Sequence, residues 1–102
     1  MKRKPFTNTQ ARNIYKVAFE TGKMRYRRRK HTQSRMRERG FDIHDFEVLA
    51  RFGNVIYPPE PDINTGEWKY LIEKDNPTVK AVFIIENGGK GKEQVRIVTV
   101  IK

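Results

Sequence analysis

The sequence predicts an α+β fold in which N-terminal helices pack on a mainly antiparallel, twisted sheet of about four strands. The apolar residues follow a helical period up to Gly53 and alternate or run together after it. Helices that precede strands, without regular alternation between them, are typical of α+β proteins. Short connections between the later strands favour an antiparallel meander. The length fits one domain over residues 1–102, with residues 1–6 as a flexible basic arm.

The first helix is predicted over about residues 8–21. Thr7 and Gln10 fit a capping box, in which a hydroxyl residue and a Gln three positions later satisfy each other's backbone N–H groups. Apolar residues then recur at helical spacing. Gly22 is a typical helix stop.

A basic alternating run follows, from Met24 to Arg29. Its period of two predicts a short strand at the edge of a sheet. The alternative is that the first helix continues through this run. Gly22 and the missing helical period favour the strand.

Two short helices are predicted next. The first covers about residues 30–39 and ends at Gly40. Asp42 and Asp45 occupy the N-cap and N3 positions of the second, where the helix dipole favours acids. This second helix ends before Gly53.

The second half of the chain is predicted to be strands separated by turn residues. Pro, Gly and Asn punctuate its apolar runs. The predicted strands are residues 54–57, 67–73, 78–86 and 94–101, with a loop over 60–66 and a hairpin loop over 87–92.

The positive charge is concentrated in one part of the chain. Residues 1–40 hold 14 Lys and Arg against Glu20 and Glu38, a net charge of +12, whereas residues 41–102 hold 8 against 10 Asp and Glu, a net charge of −2. Such a field attracts polyanions. It predicts RNA, DNA or an acidic protein as partner, and a merely solubilising surface is the alternative reading.

Composition argues against several other classes. The chain has no Cys and two His, without an HExxH motif, so we expect no disulfide, no metal site and no cofactor. No apolar run approaches the ~20 residues of a membrane span, and we expect a cytoplasmic protein without membrane contact.

The candidate catalytic residues are His31, Arg35 and Arg39, which stand at i, i+4 and i+8 and so share one helix face. Metal-independent RNA cleavage needs a base, an acid and positive charge near the phosphate. An imidazole beside guanidinium groups supplies these. The alternative is that His31 caps or packs the helix while the arginines form a solvated face. His44 is a weaker candidate.

Candidate nucleic-acid-binding residues lie on the basic stretch and on the later strands. Three aromatic residues, Tyr57, Trp68 and Tyr70, are candidates to stack on unpaired bases. The alternative is that these aromatic side chains fill the core. The set comprises Arg25, Arg27, Arg28, Arg29, Lys30, Arg37, Lys69, Tyr70, Lys80 and Lys102.

The run His31 to Asp42, HTQSRMRERGFD, with the later Gly53 to Ile56, resembles a small bacterial domain family of unknown function. That family carries the signature H-A-x-x-R-M-x-E-R-G and resembles RelE/MqsR-like toxins. The segment 14–29 is likewise similar to the opening of MqsR-type toxins. Seven positions match the family pattern: His31, Arg35, Met36, Glu38, Arg39, Gly40 and Asp45.

The resemblance implies a RelE-like fold and a toxin-type, metal-independent endoribonuclease that an acidic antitoxin silences. Two positions depart from the pattern: Thr32 replaces an Ala, and the tail 99–102 lacks the family's Tyr. The second departure leaves two readings, an inactive chain or Lys102 in place of the Tyr. The other function classes are a non-catalytic nucleic-acid-binding module and a domain that binds an acidic protein.

Overall fold

The computed structural model describes residues 4–86 and 92–102, which form three helices and five strands. Their order confirms the predicted α+β class. The elements are α1 (Asn8–Glu20), β1 (Met24–Tyr26), α2 (Arg29–Glu38), α3 (Ile43–Phe52), β2 (Glu60–Pro61), β3 (Trp68–Lys74), β4 (Val79–Glu86) and β5 (Gln94–Ile101).

The sheet differs from the prediction in size and in direction. Its order is β1-β5-β4-β3-β2, so it has five strands rather than about four. It is mixed, because β1 runs parallel to β5 while the other three pairings are antiparallel. The predicted meander of the last three strands is confirmed.

Two capping boxes begin α1 and α3. The box of α1 was predicted, and for α3 the N-cap and N3 positions of Asp42 and Asp45 were predicted. The Thr7 hydroxyl accepts from the backbone N–H of Gln10 at 3.1 Å, and the Gln10 carboxamide accepts from Thr7 at 2.9 Å. Asp42 and Asp45 make the same exchange at the start of α3, at 3.3 and 2.9 Å. These local signals fix where both helices enter the fold.

One predicted strand is shorter than expected, and another does not form. The basic strand ends at Tyr26 because Arg28 adopts a left-handed conformation, with φ of 52°, and caps α2. The segment 54–57 forms no strand, and only Asn54 bridges to Glu73. The loop predicted over 60–66 begins with β2, and the hairpin loop predicted over 87–92 falls mostly on residues 87–91, outside the described residues.

The core lies between the sheet and the pair α1 and α3, and the face that these helices cover is called the inner face. Tyr15 packs its ring 5.3 Å from Phe83 of β4, and its hydroxyl donates to the Phe46 carbonyl at 3.1 Å. Burial raises the pKa of Tyr15, so the phenol stays neutral. Phe6, within the predicted basic arm, packs on this core and donates its N–H to Tyr70 Oη at 2.9 Å.

The opposite surface of the sheet is called the outer face. Lys69, Ile84 and Arg96 lie side by side on it, one position away from the inward row Tyr70, Phe83 and Ile97. An irregularity in the β4–β5 pairing at Val82/Phe83 leaves β5 one residue longer there. Within the described part of the chain, no helix is both long and apolar enough to cross a membrane.

Candidate functional site

An open depression of about 290 Å³ lies on the outer face, between the start of α2 and the turn that follows β2. Four separate segments of the chain contribute to its wall. The lining residues are Arg27, Arg28, His31, Asp62, Asn64, Lys69, Val98 and Thr99.

The wall is held by one ion pair between distant segments. Arg27 directly follows β1 and Asp62 directly follows β2, and these strands form the two opposite edges of the sheet. Arg27 Nη1 donates to Asp62 Oδ2 at 2.6 Å. The pair therefore joins the segments that leave the two sheet edges and closes the depression on one side.

Asp62 organises the turn after β2. Its buried carboxylate also accepts from the backbone N–H of Asn64 at 3.2 Å and from the Thr65 hydroxyl at 3.0 Å. Burial alone raises the pKa of Asp62, but these two hydrogen bonds and the Arg27 guanidinium outweigh it and hold that pKa below its ordinary value. The carboxylate is thus a structural anion and a weak base.

The start of α2 supplies the opposite wall. The Thr32 hydroxyl is fully buried and donates to the Arg27 carbonyl at 2.8 Å, which fixes the turn between β1 and the helix. Arg28 occupies the N-cap in its left-handed conformation, and no side chain caps this helix. His31 lies in the first turn and is exposed towards the depression.

The base of the depression comes from β3 and β5. Lys69 lies on the outer face of β3. Val98 and Thr99 stand together between the buried residues Ile97 and Val100, at the point where β5 is one residue longer than β4. The pairing irregularity therefore provides two adjacent lining residues from one strand.

The lining has the chemistry of an anion site. Three permanent cations face one carboxylate that Arg27 already neutralises, beside a single imidazole. The Lys69 ammonium makes no hydrogen bond or ion pair within residues 4–86 and 92–102. Across those residues no three His, Asp or Glu side chains are grouped so as to hold a metal ion.

The three candidate catalytic residues are not brought to one site. His31 lines the depression, whereas Arg35 is half-buried on α2 and does not line it. Arg39 follows the helix, and its Nη1 donates to the Val100 carbonyl of β5, beyond the paired part of β1. A shared helix face placed these residues in a row, but the row runs away from the depression.

Lys102 joins Arg39 at the far end of α2. Its ammonium donates to the Gly40 carbonyl at 3.0 Å and to Asp45 Oδ2 at 3.1 Å. Asp45 is buried and also holds the N-terminus of α3. Arg39, Lys102 and Asp45 are called the C-terminal clamp, because they fasten the end of α2 to α3 and to β5.

The candidate nucleic-acid-binding residues fall into three groups. Arg27, Arg28 and Lys69 line the depression. Four others are exposed on β1 and α2 but are not among its lining residues, namely Arg25, Arg29, Lys30 and Arg37, and Arg25 donates to the Gly22 and Met24 carbonyls. Lys80 pairs with Glu73 across β3 and β4 at 3.7 Å, and Lys102 belongs to the C-terminal clamp. Tyr70 is 2% exposed and stacks on Phe83, so its ring offers no face to a base.

Three polar lining residues were absent from the sequence prediction: Asp62, Asn64 and Thr99. The segment Asp62-Ile63-Asn64-Thr65-Gly66 carries a signal for a tight turn, since Asp, Asn, Thr and Gly favour such turns. Nothing in the sequence places that turn opposite Arg27. Of the two histidines, His44 is exposed on α3 and lies 3.6 Å from Glu47, outside the depression.

Comparison of the chain with protein-family models, with curated proteins and with solved structures gives no match.

Proposed function

We propose that this chain binds RNA through the depression and the exposed cations around it, and that it is a toxin-type, metal-independent endoribonuclease. One observation carries the proposal. His31 lies beside Arg27, Arg28 and Lys69 in a single open depression. A proton-transfer group and two cations, Arg28 and Lys69, are thus within reach of one ligand, whereas the charge of Arg27 is neutralised by Asp62.

Phosphate binding rests on charge and on the helix terminus. Arginine forks and a lysine ammonium are the usual partners of phosphate oxygens. The start of α2 adds the positive end of a helix dipole, which favours anions. The exposed arginines on β1 and α2 extend the field along a strand of several phosphates.

In the proposed cleavage, the ribose 2′-oxygen attacks phosphorus and the bond to the 5′-oxygen breaks. His31 makes one of the two proton transfers, from the 2′-hydroxyl or to the leaving 5′-oxygen, and water makes the other. Arg28 and Lys69 stabilise the phosphorane. The products are a cyclic phosphate and a 5′-hydroxyl. Arg28 and Lys69 thereby take the place that helical spacing suggested for Arg35 and Arg39.

The biological setting rests on the resemblance alone. The signature run from His31 to Asp42 supports a RelE-like relationship, a cytoplasmic location and an acidic antitoxin that covers the basic face. An overlapping reading frame for a short acidic protein would strengthen this part of the proposal.

The test is RNA cleavage by the purified chain in EDTA, with the His31→Gln variant beside it. We expect the wild type to release fragments ending in a cyclic phosphate and His31→Gln to lose at least about a hundredfold in rate. His44→Gln is the matched control, since His44 is exposed on α3 and away from the depression. Equal rates for both variants, or no cleavage by the wild type, would refute the catalytic proposal.

A non-catalytic RNA-binding module is the second candidate. His31 is the single imidazole of the lining, and the Asp62 carboxylate is held by Arg27, so a second proton-transfer group is missing among the lining residues. RNA binding without cleavage would select this candidate. The logarithm of the binding constant should then fall with the logarithm of the salt concentration, with a slope of about −0.7 for each phosphate contacted.

A further inference from the structure

The turn from Asp62 to Gly66 contributes Asp62 and Asn64 to the lining of the depression and is held by hydrogen bonds of its own. Asp62 fixes it through the hydrogen bonds to Asn64, Thr65 and Arg27 described above. The Asp62 carbonyl accepts from Gly66 N–H at 2.7 Å, and Gly66 has a φ of 74° that favours glycine. These hydrogen bonds stabilise the shape of the turn without any ligand.

Two side chains of this turn have no role in holding it. Asn64 lines the depression and donates its backbone N–H to Asp62, whereas its carboxamide makes no hydrogen bond in the described part of the chain. Ile63 stands between Asp62 and Asn64 in the chain and is not itself a lining residue. It is 96% exposed, the highest value among the described large apolar side chains.

We propose that this turn selects the nucleotide: the Asn64 carboxamide binds the edge of one base and Ile63 packs against the face of that base. The inference rests on the proposed function, because it names the specificity element of the same site. It assigns base recognition to the turn after β2, and phosphate binding to Arg28 at the start of α2 and Lys69 at the base of the depression.

The separate assignment of base recognition and phosphate binding follows from the chemistry of the side chains. Arg28 and Lys69 are fixed cations, which bind phosphates of any sequence alike. A carboxamide carries a donor and an acceptor side by side, so it distinguishes base edges. Apolar side chains such as Ile insert against bases in nucleic-acid complexes. A turn held by its own hydrogen bonds presents both groups without a large ordering cost.

The experiment measures binding of four short single-stranded RNAs, each with one base type, by fluorescence anisotropy. We expect the wild type to bind the four RNAs with different affinities and to prefer one of them. Asn64→Ala should lower affinity for the preferred RNA by about tenfold and bring the four values together. Ile63→Ser should weaken all four several-fold without changing the salt dependence, because it removes no charge.

Matched controls come from other surfaces of the chain. Asn13→Ala removes an exposed carboxamide on α1, and Ile43→Ser removes an exposed apolar side chain at the start of α3. Both should leave the ranking and the affinities unchanged. Asn64→Ser serves as a second variant, and circular dichroism reports whether each variant folds.

The outcomes separate this inference from the proposed function. Failure of the wild type to bind any RNA at low salt overturns both. If the wild type binds RNA and its order of preference persists in Asn64→Ala and Asn64→Ser, the inference alone is overturned. Wild-type affinity in Ile63→Ser overturns it as well, because the exposed Ile63 would then be a contact for a protein partner and not for a base. Loss of ranking in the Asn64 variants, with the controls unchanged, supports it.

Discussion

The two ends of α2 carry similar charge and are used differently. At the C-terminal end, Arg39 and Lys102 donate to backbone carbonyls and to the buried Asp45 carboxylate. At the N-terminal end, Arg28 and His31 face an open depression and make no such bonds to the described residues.

The difference shows that a cation is informative about function only once its partners are known. Acceptors that the chain itself supplies turn a cation into part of the architecture, because a buried carbonyl or carboxylate needs the donor. Cations without such acceptors remain available to an external anion. Stability and RNA binding should therefore respond to mutations at opposite ends of the same helix.

The largest effect on stability is expected at the C-terminal clamp. Arg39→Ala removes the donor to the Val100 carbonyl and the packing of a half-buried stem, so the free energy of unfolding should fall by about 2 kcal/mol. Urea denaturation measures it. Arg37→Ala is the matched control, since Arg37 is exposed on the same helix and should stay within about 0.5 kcal/mol of wild type. Equal losses in the two variants would contradict the clamp.

A smaller loss with a distinct pH signature is expected at the ion pair of the depression. In Asp62→Asn the amide oxygen still accepts from the turn, but the charge opposite Arg27 is gone. Because the folded pKa of Asp62 is lowered, its contribution is full above the ordinary value of 3.8 and is lost as the pH falls through the folded pKa.

The stability difference between wild type and Asp62→Asn should therefore be constant near neutral pH and shrink as the pH falls below about 4. Thermal unfolding at a series of pH values measures it. Asp75→Asn, at an exposed turn position, is the control and should show little difference from wild type at any pH. A difference that grows towards acid pH would mean that Asp62 is not held as its contacts imply.

The smallest effect, and the only one of opposite sign, is expected at the N-terminal end. Arg28→Gly relieves a left-handed conformation that costs a residue with a Cβ about 1–2 kcal/mol, although glycine loses more chain entropy on folding. The variant should match or slightly exceed wild-type stability while its RNA affinity falls. Urea denaturation measures the stability and fluorescence anisotropy measures the RNA affinity. A variant that is less stable but binds RNA unchanged would mean that Arg28 serves the fold and not RNA binding.

The parts of the fold that depend on local sequence were predictable. The capping residues of α1 and α3 and the meander from β3 to β5 each follow from neighbouring residues. β2 was not predictable, because two residues that include Pro61 carry no period. The pairing of β1 with β5 was missed as well, since it joins segments some 70 residues apart, and no local pattern reports such a contact.

The candidate site was predictable only in its centre. His31 was identified, but helical spacing linked it to Arg35 and Arg39, whereas the structure places it with side chains from β3, β5 and the turn after β2. Tyr70 was named from the sequence as a candidate to bind nucleic acid, but its side chain is buried in the core. Its alternating strand position is compatible with either face of the sheet, and the core packing that puts it inside is a property of the whole fold.

The short edge strands of the sheet bear on how the protein behaves at high concentration. An edge of unpaired N–H and C=O groups invites another chain to add a strand, which leads to aggregation. Here the outermost strands are only three and two residues long, and Pro61 has no N–H to offer. Beyond these short strands, other groups occupy part of each edge: Arg39 donates to the Val100 carbonyl where β5 extends past β1, and Asn54 bridges to Glu73 where β3 extends past β2. Side chains and single bridges therefore take over where the outermost strands end.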